Sequence, residues 1–213
     1  MRRLPDAFLI AMLSLVPAVL AVPASASDRP AETQDAAAAT VSRQGEAAGL
    51  SQDHIKEIFF DAARQGRDDL LDGLIKSGMK PDGRDPHGYT ALILAAYNGQ
   101  AKTVDFLIQK GANPCATDAK GNNSLMGVAF KGETGIVQRL IAARCDVNAR
   151  NDAGQTALMM AAMFGRTDVV KMLIVNGANP ELQDGAGNTA VRLAQQQANP
   201  QMVTLLTQAA KAQ

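Results

Sequence analysis

Four side chains are the first places to look for chemistry in this sequence: His54, His87, Cys115 and Cys145, its only histidines and cysteines. An enzyme needs a nucleophile, an acid–base pair or a metal set converging on one pocket. No His or Cys pair stands at zinc-ligand spacing, no glycine-rich phosphate loop precedes a helix, and no nucleophile elbow is present. His87 falls in the turn sequence Asp85-Pro86-His87-Gly88, where an exposed polar residue is ordinary. The residues therefore predict no catalytic group, no metal and no cofactor.

What would position side chains here is a repeat. Gly88, Gly121, Gly154 and Gly187 recur at steps of 33, and each opens a related segment: GYTALILAAYNG, GNNSLMGVAFKG, GQTALMMAAMFG and GNTAVRLAQQQA. Val104, Val137, Val170 and Val203 keep the step, as do Leu107, Leu140, Leu173 and Leu206. A period of about 20–50 residues marks a stacked solenoid. Each unit reads as a turn, two antiparallel helices and a loop. Thr90 is placed to cap the first helix, and Leu92, Ala95 and Ala96 give it a narrow apolar face. Gly99 stops that helix; Val104, Leu107 and Ile108 pattern the second, which Gly111 ends.

The pattern resembles the ankyrin repeat. TALILAA from Thr90, TALMMAA from Thr156, GANP from Gly111 and from Gly177, and CDVN from Cys145 carry the resemblance, which extends from Gln52 to Gln213. It implies an all-α solenoid over 51–213 in five units, 52–84, 85–117, 118–150, 151–183 and 184–213, with the first and last as polar caps. Ile93, Met126, Met159 and Arg192 stand where the family has a His that ties adjacent turns, so weaker loop-to-loop bonding is expected. The unit from Asp118 departs furthest. It has Asn123 for Thr, Gly127 and Gly135 inside helices, and Arg144 where the family has Gly.

The N-terminus has another design. Arg2 and Arg3 precede an apolar run from Ala7 to Ala21, and Val22-Pro23-Ala24-Ser25-Ala26 follows. This predicts a secretory signal peptide, 1–26, cleaved after Ala26. The run is shorter than the roughly 20 residues of a membrane span, and Pro17 interrupts it. The chain has 21 basic and 21 acidic residues, and cleavage removes Arg2, Arg3 and Asp6, so the mature charge is −1. A periplasmic location without membrane attachment is expected. Residues 27–50, poor in large apolar side chains, predict a low-complexity flexible linker.

Export makes a Cys115–Cys145 disulfide possible. The two residues sit in adjacent units, three positions out of register. With repeats about 10 Å apart, their Cα atoms are expected to exceed the limit of about 7 Å, and a buried free thiol at Cys145 is the expectation. Basic residues near the loops, Arg84, Lys120, Lys131 and Arg150, are few and balanced by acids, so they predict a solvated face and no nucleic acid.

Ankyrin repeats bind through loop tips and the exposed ends of their first helices. In this chain those helix-end pairs are Arg64-Gln65, Tyr97-Asn98, Phe130-Lys131, Met163-Phe164 and Gln196-Gln197, with His87, Tyr89 and Lys120 on the turns. Aromatic and Met side chains with a little charge suit the centre of a protein interface, although packing between units could also use them. The expected function is that of a monomeric, non-enzymatic module that binds a partner protein on its concave face. Resemblance to exported bacterial ankyrin proteins implies an accessory or stabilising role linked to catalase and oxidative-stress defence. An immunity-type inhibitor of a toxic effector, and small-ligand binding or catalysis in the groove, are the alternatives.

Because the unit 118–150 holds the weakest helix formers, its amides are expected to exchange hydrogen faster than those of 151–183. Equal protection measured by exchange mass spectrometry would refute that ordering.

Overall fold

A side-chain oxygen starts every first helix. Ser51, Thr90, Asn123, Thr156 and Thr189 each accept from the backbone N–H three residues on, at 3.0–3.3 Å, a cap worth about 1 kcal/mol. The computed structural model describes residues 51–211; the signal peptide expected at 1–26 and the linker expected at 27–50 lie outside the described residues. Five helix pairs follow in order: α1 (Gln52–Gln65) with α2 (Asp68–Lys76), α3 (Ala91–Tyr97) with α4 (Ala101–Gln109), α5 (Ser124–Lys131) with α6 (Thr134–Ala142), α7 (Ala157–Met163) with α8 (Thr167–Val175), and α9 (Ala190–Gln196) with α10 (Pro200–Lys211). No strand occurs among the described residues, only two isolated bridges, Arg84 with Thr90 and Thr117 with Asn123.

The first helices α1, α3, α5, α7 and α9 pack in one row, and the second helices lie in a row beside them. The inner first helices are buried nearly all round: Ala91 to Ala96 and Ala157 to Ala162 are without exception buried, whereas the cap helices α1 and α9 each bury one side. Alanines at 95, 96, 161 and 162, all 0 % exposed, let the neighbouring helix come close. Each second helix buries one stripe, such as Val104 and Leu107, and leaves the rest to solvent. Ion pairs link the second row, Lys110 at the C-cap of α4 with Asp72 of α2 and Arg139 of α6 with Asp105 of α4. Hydrogen bonds from Lys110 and then Lys76 hold the Asp72 carboxyl below the usual carboxylate range.

The turns obey the same step. Asp85, Asp118, Asn151 and Asp184 each use Oδ1 to accept from the N–H groups two and four residues later, at 2.8–3.1 Å. Gly88 follows with φ 83°, and a Cβ there would stand 2.6 Å from the Ala119 amide nitrogen of the next turn. Only glycine satisfies both demands.

The expected weakness between turns does not appear. Asp152 N–H donates to the Lys120 carbonyl at 3.1 Å, Gly185 N–H to Ala153 at 2.8 Å, and Asn151 Nδ2 to Asn122 Oδ1 at 2.8 Å. Arg84 donates to the carbonyls of Gly88 and Thr117, and Arg150 to those of Gly154 and Gln183. Both arginines are exposed, as the solvated face requires, and brace turns as well. Ile93, Met126 and Met159, in the place of the family's His, are buried instead, exchanging a polar tie for apolar contact.

The disulfide expectation is overturned. Cys115 and Cys145 are bonded, with Cα atoms 5.3 Å apart. The spacing between units was the wrong ruler, because the loop after each second helix leans onto the next loop. Asp82 Oδ1 accepts from Asn113 N–H and Asn148 Oδ1 from Asn179 N–H, each at 2.8 Å and 31 residues apart. Cys115 occupies the position of Asp82 and Asn148, so it too faces the next loop. The bond to Cys145, buried in the place of Ala112 and Ala178, replaces the hydrogen bond made at the flanking interfaces. It ties the unit 118–150 to its predecessor.

Arg144 takes φ 61°, where Gly111 and Gly177 take 87° and 88°. A left-handed non-glycine residue costs roughly 1 kcal/mol. Arg144→Gly is therefore expected to raise the unfolding free energy by about 0.5–1 kcal/mol, and a lower midpoint in urea titration would contradict it. Replacing both cysteines by alanine is expected to cost about 2–4 kcal/mol. Cys115→Asn with Cys145→Ala rebuilds the ladder hydrogen bond and should recover about 1 kcal/mol of that loss; the same urea titration, comparing the two double variants, measures the difference.

Candidate partner-binding face

Four of the five first helices end just before a left-handed glycine, and α9 before Ala198 at φ 52°, so their last side chains escape the neighbouring helices. Gly66, Gly99, Gly132 and Gly165 mark these ends, with φ between 66° and 89°. Tyr97, Phe130 and Met163 hold one position in successive units, and Asn98, Lys131 and Phe164 the next. Tyr97 and Phe130 stack with centroids 6.4 Å apart and planes 12° from parallel. Phe130 meets Phe164 edge-on at 4.4 Å and 74°. The rings thus run without a break across three units, and Lys131 Nζ stands 4.8 Å over the Tyr97 ring.

Packing and exposure coexist in this ladder. Tyr97 and Phe130 are half-buried, whereas Phe164 is 40 % exposed. Burial raises the Tyr97 phenol above its ordinary pKa. Tyr89 is raised as well, first by burial and then by the charges of Asp118 and Asp85. Both stay neutral at physiological pH, presenting an apolar ring with a hydroxyl that donates and accepts. Arg166 supplies a bond that reading the sequence overlooked: its Nε donates to the Phe130 carbonyl at 2.9 Å. The signal was available as the unrepeated residue immediately after each helix-ending glycine.

The other expected residues divide. His87 and Tyr89 lie together on one turn, rings 6.2 Å apart, with Tyr89 packed on the core. Arg64 pairs with Asp61 at 2.6 Å and with the buried Asp85 at 3.6 Å, so its charge is committed within the protein. Asn98 turns back, Nδ2 donating to the Leu94 carbonyl at 2.8 Å. Met163 is half-buried against the core, and Lys120 is exposed beside the turn bond its carbonyl accepts. At the far end Gln196 Nε2 donates to Asn188 Oδ1 at 3.3 Å.

The family model for ankyrin repeats in three copies matches residues 44–118 and 125–213. The chain is an ankyrin-repeat protein. Ankyrin repeats generally mediate protein–protein interaction and are typically non-enzymatic. Comparison with curated proteins found no match. In this ankyrin domain, no group of three or more His, Cys, Asp or Glu could hold a metal ion among the described residues. An open groove of about 330 Å³ lies on the second-helix row, lined by Gln138, Ile141 and Ala142 of α6 and by Met172 and Asn176. None of those side chains titrates, which gives the groove no acid, base or nucleophile.

Proposed function

We propose that this protein is a periplasmic, non-enzymatic binding module that holds one partner protein against the ends of its first helices. The observation that carries the reading is the ring ladder Tyr97–Phe130–Phe164, which ends on a ring 40 % exposed. Large rigid rings beside a single Lys are what the desolvated centre of an interface requires. Ordering them in advance by stacking lowers the entropy lost on association. The export assignment rests on the basic start, the apolar run and the Ala24-Ser25-Ala26 exit. On the family resemblance, the partner belongs to oxidative-stress defence.

Phe164→Ala separates binding from folding, because Phe164 is the outermost ring of the ladder. In affinity capture from periplasmic extract, the wild type is expected to enrich one partner that Phe164→Ala loses at least tenfold. A Tyr97→Ala, Phe130→Ala double variant is expected to abolish capture. The same partner recovered equally by all three would refute the ring face.

A further inference from the structure

Gln100 and Arg166, each following a helix-ending glycine, make one and the same contact; Glu133 between them and Asn199 after Ala198 do not. Gln100 Nε2 donates to the Arg64 carbonyl at 3.1 Å, and Arg166 Nε to the Phe130 carbonyl at 2.9 Å. Both acceptors lie in the last turn of a first helix, where carbonyls lack a helical partner. Glu133 holds the corresponding position between them. A Cβ on Gly66 would stand 2.6 Å from Gln100 Oε1, one on Gly132 3.0 Å from Arg166 Cδ, and one on Gly99 3.7 Å from Glu133 Oε1. The three side chains therefore lie in equivalent places, each against the glycine of the preceding unit.

A carboxylate has no proton to donate. Among the described residues, the Tyr97 carbonyl accepts no hydrogen bond and Glu133 makes no ion pair. Two acceptors thus share a place that a guanidinium occupies one unit later. One is a helix-terminal carbonyl at the negative end of the α3 dipole, and the other carries a full negative charge.

We propose that Tyr97 and Glu133 form a binding site for an arginine side chain of the partner protein. The planar fork of a guanidinium gives one N–H to the Tyr97 carbonyl, as Arg166 gives Nε to Phe130, and the others to the Glu133 carboxylate. The Tyr97 ring itself is already covered by Phe130 and by Lys131, so the two acceptors carry the recognition. The inference rests on the partner-binding reading and gives it a chemical requirement.

The test is an NMR titration of the full chain with N-acetyl-arginine methylamide and with its neutral citrulline analogue. The arginine probe is expected to shift the amides from Tyr97 to Gly99 and at Glu133, and the citrulline probe to bind at least fivefold more weakly. Glu133→Gln and Glu133→Arg copy the residues at 100 and 166, so they keep the fold and place a donor of the chain's own on the Tyr97 carbonyl. Both should remove the response, and Glu133→Arg should raise the thermal midpoint. Equal binding of the two probes, no response at all, or a response unchanged in Glu133→Gln would overturn the site. Capture by Phe164→Ala judges the ring face separately, since Phe164 does not touch these acceptors in the proposed geometry.

Discussion

Everything in this structure depends on the burial of short helices that cannot cover themselves. α3 and α7 have seven residues each, too few for a helix to persist alone in water. Six consecutive residues in each are buried, and only neighbouring units can bury them. Stability is therefore held between units more than within them. The repeated alanines, the capping Thr or Asn and the turn Asp or Asn serve that one requirement. They set the distance, the entry and the orientation at which the next helix arrives.

Much of this was legible because stacking imposes a period. The glycine step of 33 located the turns, and the Thr90 type of cap and the Ala95-Ala96 type of face followed from helix geometry. Interactions across units were less legible, since they depend on which way a loop leans. Cys115 and Cys145 were judged by the separation of units, yet residues at 82, 115 and 148 reach into the next loop. Arg84 and Arg150 looked like free surface charge until their carbonyl partners came into view. In the candidate face, sequence position brought Tyr97, Phe130 and Phe164 to one side but said nothing of their stacking. Arg64 is a further such case, a helix-end charge that the fold spends on Asp61 and Asp85.

Residues outside the 33-residue period are not thereby free of the scaffold. Tyr97, Phe130 and Phe164 are free of the period, yet they contact one another and help join units. A ring in this ladder therefore contributes to both cohesion and surface. Exposure, highest at Phe164, separates the two contributions better than repetition does. Glu133 illustrates the same point from the polar side, since it leaves the neighbouring helix end without the donor that Gln100 and Arg166 supply at theirs.

The covalent bond between two loops also bears on how the molecule would behave under tension. A solenoid pulled from its ends lengthens as units come apart, each releasing its folded contour. The Cys115–Cys145 bond carries the load across a separation of 30 residues, so the chain between them cannot extend even when its helices melt. That withholds about 100 Å of reach at the extended-chain rise per residue. The length this protein can attain is thus decided by an electron pair at two sulfurs as well as by the forces that fold it.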